Sequence, residues 1–329
     1  MTRLFLIFFL ILTSQLFAQK GTLSPYSFYG LGESLFSGTA DQRSMGGLVA
    51  HVDSIHYNVL SPASLAELKL VNYNIGASYS RRDFISDANS SKNETAGIDY
   101  MTVGIPTKYF GFGFGLLPKT AVGYRLSVSD EINGLSSNSN YEGNGGINQV
   151  FFSLGFSLTK NLGIGTSVNY NFGSIYRVHT RQDEGIDLLS QLKSESEFRG
   201  LEWNFSSYFK IDLSNRLQLQ LHYVYQPKAN LDSYNYRFIS TFTSLGEQRD
   251  MQEVNLSLEG LDKTTSESPA KQTIGGGFGE SKKWYIGGQW TETYGSLDDA
   301  FYAVGSVQYE PASQLSIGSY FIPDYDSFS

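Results

Sequence analysis

The sequence predicts an all-β protein, a transmembrane antiparallel β-barrel with an N-terminal hatch. Three observations carry that prediction. First, Val150, Phe152, Leu154, Phe156 and Leu158 alternate with Phe151, Ser153, Gly155, Ser157 and Thr159. After a turn at Lys160-Asn161, Leu162, Ile164, Thr166, Val168, Tyr170 and Phe172 alternate with glycine, serine and asparagine. Period two puts the apolar set on one face of a hairpin, whereas a helix would spread it around its circumference. Second, each arm has roughly the 9–11 residues a tilted strand needs to cross a bilayer, longer than the usual globular strand. Third, the pattern recurs along the chain, and the connections alternate between short turns and long polar stretches, as in outer-membrane barrels.

Residues 1–18 read as a secretory signal. Arg3 supplies the positive charge, Leu4 to Leu12 the apolar run, and Ala18 a small residue before the cut. That run is too short for a spanning helix. There are no cysteines, hence no disulfides and no thiolate metal site. The net charge of −8 argues against a nucleic-acid partner. High Tyr, Phe and Gly with only 17% charged residues suit an exported β protein.

Residues 19–68 are irregular and glycine-punctuated, and we expect them to fold inside the barrel as a hatch. Residues 69–329 form the barrel, with a large external excursion at about 231–267. Eleven spanning strands are expected, at about 69–83, 97–106, 108–130, 147–159, 162–178, 199–212, 216–227, 270–280, 283–294, 300–310 and 314–323. Short turns fall near 107, 160, 214, 281 and 312, and long polar connections near 90, 138, 189 and 250. The connection near 297 should be long on this scheme and is not. An odd count strands the C-terminus outside, and the chain stops at Asp324–Ser329 without a closing aromatic strand. The expectation is a barrel incomplete at its C-terminus, closed by missing residues or by a partner chain, because bacterial single-chain barrels have even counts and leave no edge in lipid.

In the third strand Phe110, Phe112, Phe114 and Leu116 alternate with Gly111, Gly113 and Gly115. After Pro118 the even register resumes with Val122, Tyr124, Leu126 and Val128. Proline cannot donate to a ladder. Gly111, Gly113, Gly115 and Pro118 therefore mark either a wall opening or a simple bulge near the rim.

Ser24–Gly32, then Arg43-Ser44-Met45-Gly46-Gly47, then Asn58–Ala66 resemble the N-terminal hatch of FadL-type outer-membrane proteins. That resemblance implies a transporter of long-chain fatty acids or other hydrophobic compounds. The family's Asn-Pro-Ala signature falls on Ser61-Pro62-Ala63, with serine in place of asparagine. In that family the third strand is kinked and opens the wall, and here Pro118 lies in the third strand.

No chemistry of an enzyme is visible. His51 and His56 flank Asp53 but match no zinc spacing, His179 and His222 stand apart, and no serine sits in a nucleophile elbow. Gly275–Gly279 lies in a strand without a following helix, so it is no phosphate loop. No cofactor and no metal are expected. The inward face is neutral-polar, which suits a plugged conduit better than an ion channel ringed with charge. The sequence thus points to passive outer-membrane transport of a hydrophobic small molecule, with outer-membrane lipid as its surroundings. The alternatives are a structural or partner-binding barrel of a surface or secretion complex, and a general porin.

Overall fold

The computed structural model describes residues 22–85, 90–132, 135–214, 216–243, 245–280, 283–298 and 307–323. The expected signal, 1–18, lies outside them. The N-terminal segment carries 3-10 turns at Pro25–Phe28 and Pro62–Ala66, a two-residue strand β1 (Glu33–Ser34) and a short helix α1 (Ala40–Ser44). Then follow β2 (Asn72–Ile85), β3 (Ser90–Pro106), β4 (Phe110–Ile132), β5 (Leu135–Ser157), β6 (Leu162–Asp183), β7 (Leu188–Asp212) and β8 (Leu217–Gln226). An outer group comprises β9 (Ala229–Thr243), β10 (Gln248–Glu253) and β11 (Lys263–Ser268). The wall resumes with β12 (Lys271–Glu280) and β13 (Trp284–Thr293), and ends, after β14 (Ser296–Asp298) and β15 (Val307–Tyr309), with β16 (Ala312–Phe321).

The wall is one antiparallel sheet in the order β16-β13-β12-β8-β7-β6-β5-β4-β3-β2. Alternation decides its two faces. Phe152 is 47% exposed and its neighbour Ser153 1%. The register aligns outward apolar side chains in rows: Met101–Leu116–Val150–Tyr170–Leu201, and Phe114–Phe152–Val168–Trp203. Exposed Ile274, Phe278, Ile286, Trp290, Leu315 and Ile317 continue the belt to the far edge of the sheet. A monomer in water rarely exposes an apolar surface of that extent, and hydrocarbon is the solvent that accepts it. The inner face is buried and mostly polar: Ser153, Ser167, Asn169, Glu202, Ser206, Gln220, Thr273 and Gln289.

The sheet is strongly curved. Arg43 Nη1 lies 3.4 Å from Asp99 on β3, while Met45, two residues on, packs its carbonyl against Gly318 of β16. Strands eight steps apart in the sheet order therefore approach one another across a few residues of the N-terminal segment. Among the described residues β2 and β16 do not pair.

The expected strand count is corrected. β16 pairs directly with β13, from Thr293↔Ala312 to Trp284↔Phe321. Of the strand expected at 300–310, residues 300–306 lie outside the described residues. Val307–Tyr309 pairs instead with Ser296–Asp298 in a separate two-stranded sheet. The connection from 294 to 311 is thus one of the long ones, and Pro311-Ala312-Ser313 is no short turn on the opposite side. The wall has ten strands among the described residues, and β16 runs back toward the side of the short turns.

The polar stretches near 90, 138 and 189, expected as loops, are largely strand. β4 and β5 stay paired to Ile132↔Leu135, and β6 and β7 to Gln182↔Leu189. Ladder pairs such as Ser127–Asn140 and Ser129–Asn138, both 2.6 Å, hold them. Mostly polar, these extensions have the composition of loops while continuing the ladders of apolar strands. The excursion at 231–267 is likewise structured: β9 pairs with the outer half of β7, and β10 and β11 pair with β9.

The lipid belt sets a depth-dependent cost. Phe152 lies near its middle, and Phe156 beside the short turn after Ser157. Phe152→Arg should lower stability by about 2–4 kcal/mol and Phe156→Arg by about 0–1 kcal/mol, because the cost of a cation on the lipid face falls toward the interface. Urea unfolding in lipid vesicles measures both, and equal losses would contradict this assignment of depth.

Candidate functional site

The N-terminal segment lies against the inner face, and glycine permits the contact. A Cβ on Gly165 would fall 2.3 Å from Ala63 N, and one on Gly111 2.1 Å from Leu65 O. The inward wall side chains then satisfy the segment's backbone. Ala63 N–H donates to Ser206 Oγ at 2.7 Å, Val52 N–H to Gln220 Oε1 at 3.0 Å and Val49 N–H to Gln289 Oε1 at 2.6 Å. Gln289 Nε2 returns a bond to Gly47 O at 3.0 Å, and the Tyr285 hydroxyl donates to Ala50 O. Tyr57, Val59, Leu65 and Leu68 form an apolar cluster with Tyr100, Leu117 and Phe151 of the wall.

The motif residues fall in this contact. Arg43, in α1, stacks 5.1 Å over the Phe36 ring and reaches Asp99. Ser44 Oγ bonds Asp41 O at 2.7 Å. Gly46 and Gly47 have φ of 71° and 77°, a region side chains rarely adopt, and turn the segment back along the wall. Ser61 precedes the 3-10 turn in which Pro62 and Ala63 pack fully buried against β5, β6 and β7.

The glycine run of β4 sits in an intact ladder, pairing with β3 from Pro106↔Gly111 to Met101↔Leu116. Its role there is room: Gly113 faces the Tyr57 ring, and Gly115 the Phe151 ring and Met101 O. Pairing between β3 and β4 ends at Leu116. Pro118 marks a bulge against β5, where the register shifts between Pro118 and Thr120. The extra residue reverses the parity expected from sequence. Val122 and Tyr124 face inward and form a second apolar cluster with Ile147, Ile175, Phe198 and Leu231, against Phe28 and Leu31. Where β3 has left, β1 pairs with β4 at Glu33↔Ala121 and Ser34↔Thr120, and Leu35 N–H bonds Lys119 O at 2.9 Å.

Between the segment and the wall lies a chamber of about 690 Å³. Leu35, Phe36, Val49, Leu60, Leu117 and Phe151 give it an apolar side, and amides and hydroxyls of β5–β16 a polar one. The bulge brings Lys119 inward, where it forms an ion pair with Glu202, 1% exposed. Lys271 faces the same chamber without a carboxylate partner among the described residues. This trio was not read as a site from sequence. The available signal was Glu202, a carboxylate on an inward face built mainly of Ser, Thr, Asn, Gln and Gly.

A second cavity, about 490 Å³, lies toward the short turns. There Tyr208 Oη donates to Glu67 Oε1 at 2.6 Å and Lys210 pairs with Glu67 at 2.9 Å. Asp53 Oδ1 accepts from the N–H groups of Ile55 and His56, and Oδ2 lies 2.6 Å from His56 Nδ1. Burial acts to raise the Asp53 carboxyl, but the bonds from His56 outweigh it and hold the group below the usual carboxylate range. The same bond raises the His56 imidazole. Burial lowers His51, whose ring sits 4.9 Å from Tyr285 and 5.0 Å from Tyr320. The two histidines thus have separate partners. Among the described residues no three His, Asp or Glu converge as metal ligands.

The buried ion pair makes a testable demand. Glu202→Leu strands Lys119 and should cost about 3–5 kcal/mol in vesicle unfolding, while Glu202→Leu with Lys119→Met should recover most of the loss. A double variant no better than the single one would show that the pair is not what matters there.

Solved structures with this fold include the toluene transporter TodX of Pseudomonas putida, at TM-score 0.52 and 13% identity, covering 89% of this chain and 81% of that one. The toluene transporter TbuX of Ralstonia pickettii matches at TM-score 0.51 and 11% identity, covering 86% and 82%. The monoaromatic hydrocarbon channel CymD matches at 0.50 and 11%, covering 89% and 81%. The likeness to FadL-type proteins expected from the N-terminal motifs thus holds at the level of the fold. No curated protein matches the sequence. The sequence profile of the BamG family matches residues 1–329, and the chain belongs to that family.

Proposed function

We propose that the sheet closes in the bacterial outer membrane as a barrel with residues 22–68 as its hatch, and that it passes a small hydrophobic molecule without catalysis or energy input. The observation that carries this reading is the place where the wall is incomplete. Beyond Leu116, β4 loses β3 as a neighbour, and the hatch strand β1 takes the vacated edge. A wall closed by a two-residue strand of a separate segment can open by moving that segment, without breaking a long ladder. Beside it a cleft of about 360 Å³ at the outer end is lined by Leu23, Phe84, Tyr124 and Tyr176 together with polar Asn93, Arg125, Glu142 and Asn144. The apolar side of the chamber would receive a ligand from there. The solved relatives are named for toluene and monoaromatic hydrocarbons, the class of ligand this reading carries over.

A second reading, a partner-binding barrel, is favoured by the outer sheet. Ile239, Met251 and Leu245 are exposed on or beside β9 and β10, which extend from the outer half of β7, beyond the belt. That reading predicts a companion protein co-purifying at fixed stoichiometry.

The chain lacks cysteine, so a single staple is clean. Ser34→Cys with Thr120→Cys ties β1 to β4. In intact cells, expression of the reduced protein should raise uptake of the hydrophobic dye N-phenyl-1-naphthylamine. Oxidation should return uptake to background, and reduction should restore it. Equal uptake with the staple closed would refute β1 as the gate, and no gain on expression would refute the conduit.

A further inference from the structure

A second weak line in the wall lies away from β3 and β4. β7 pairs with β8 from Asp212 to Phe205, and with β9 from Arg199 to Leu188. Between these ladders, residues 200–204 have no strand partner on that side. The facing strand explains the break. Seven residues of β7, from Phe205 to Arg199, oppose eight from Tyr225 to Asp232, so one residue is in excess. Pro227 lies in that stretch. On its other side β8 pairs with β12 as far as Gln226↔Lys271, and β9 with β11 from Ala229↔Ser268. Pro227-Lys228 therefore face Pro269-Ala270, two prolines that offer the sheet no N–H. Gly200 closes the outer end of the break, since its backbone touches Asn230 O and Leu231.

The break is at the level of the lipid belt. Leu201 and Trp203 point outward, exposed, in the rows of Tyr170 and Val168. Behind them Glu202, Asn204, Gln226 and Lys271 line the 690 Å³ chamber, and Asn204 Oδ1 is enclosed without a hydrogen-bond partner. Backbone groups left unpaired at membrane depth are tolerated only where they lie in protein or line a water-filled cavity.

We propose that the chamber opens sideways into the membrane between β7 and the β8–β9 strand, at Leu201–Asn204, a portal separate from the gap covered by β1. A molecule crossing there keeps a polar end against Lys271 and Asn204 while its apolar part passes Leu201, Trp203 and Tyr225 into lipid. The proposal rests on the wall itself, and its test needs neither a ligand nor the uptake reading.

The test uses single cysteines carrying a bimane label, in liposomes containing brominated phospholipid. Asn204→Cys and Gln226→Cys, on the inner face at the portal, should lose fluorescence approaching that of lipid-facing Phe156→Cys. Ser153→Cys and Thr291→Cys, inner-face positions elsewhere, should keep it. Quenching at 204 and 226 no greater than at 153 and 291 overturns the portal. Hydrogen exchange on the unaltered protein gives an independent readout if a variant misfolds. Those amides of 201–204 that point away from β6 should exchange roughly 10-fold or more faster than those of 205–209 that bond β8. Equal protection along β7 overturns the proposal as well.

Discussion

The structure depends on how an irregular segment is satisfied inside a wall that faces lipid. Residues 22–68 contain little regular structure, so most of their backbone donors and acceptors need partners from elsewhere. The wall supplies them. Ser206, Gln220 and Gln289 stand on three different strands and each takes an N–H of the segment. Gly111 and Gly165 let its backbone come into contact, and Glu67 ties its end to Tyr208 and Lys210. The neutral-polar inner face is thus an acceptor surface for the segment. One short run, Arg43 to Met45, touches strands from both ends of the sheet, so the docked segment bridges the curve of the wall.

The departures from regularity collect around the chamber. The bulge at Pro118 ends the partnership of β3 and β4, turns Val122 and Tyr124 inward and delivers Lys119 to Glu202. The facing prolines 227 and 269 interrupt the opposite wall, where Lys271 and Gln226 line the same space. Long ladders elsewhere, such as β5 with β6 from Ser157 to Ser137, contain no such break. These two breaks lie beside one cavity, in a sheet whose end strands β2 and β16 do not pair among the described residues.

Much of this was legible in the sequence because lipid imposes a strict period of two. The hairpin from Val150 to Phe172 assigned its own faces, and Ser153, Ser167 and Asn169 are buried as their parity requires. Parity failed where a residue was inserted. Nothing in Val122, Tyr124, Leu126 and Val128 signals that the bulge before them has exchanged the faces. The outer extensions were hidden for a different reason. Ser127–Asn140 and Ser129–Asn138 are ladder pairs in water, where neither face is apolar and no alternation is required. The wall had no place for the strand expected at 300–310, because β13 is already paired with β12 and β16. The N-terminal motifs located the candidate site, but the chamber's ion pair came from residues 119 and 202, which only the folded wall brings together.

The central claim is that residues 22–68 pack within the wall and hold its curvature. Limited proteolysis of the folded protein in detergent, with fragments mapped by mass spectrometry, tests it most directly. Protection across residues 25–65 for as long as the wall strands survive is the predicted result. Rapid cutting throughout 25–65 with β2–β16 left intact would contradict it.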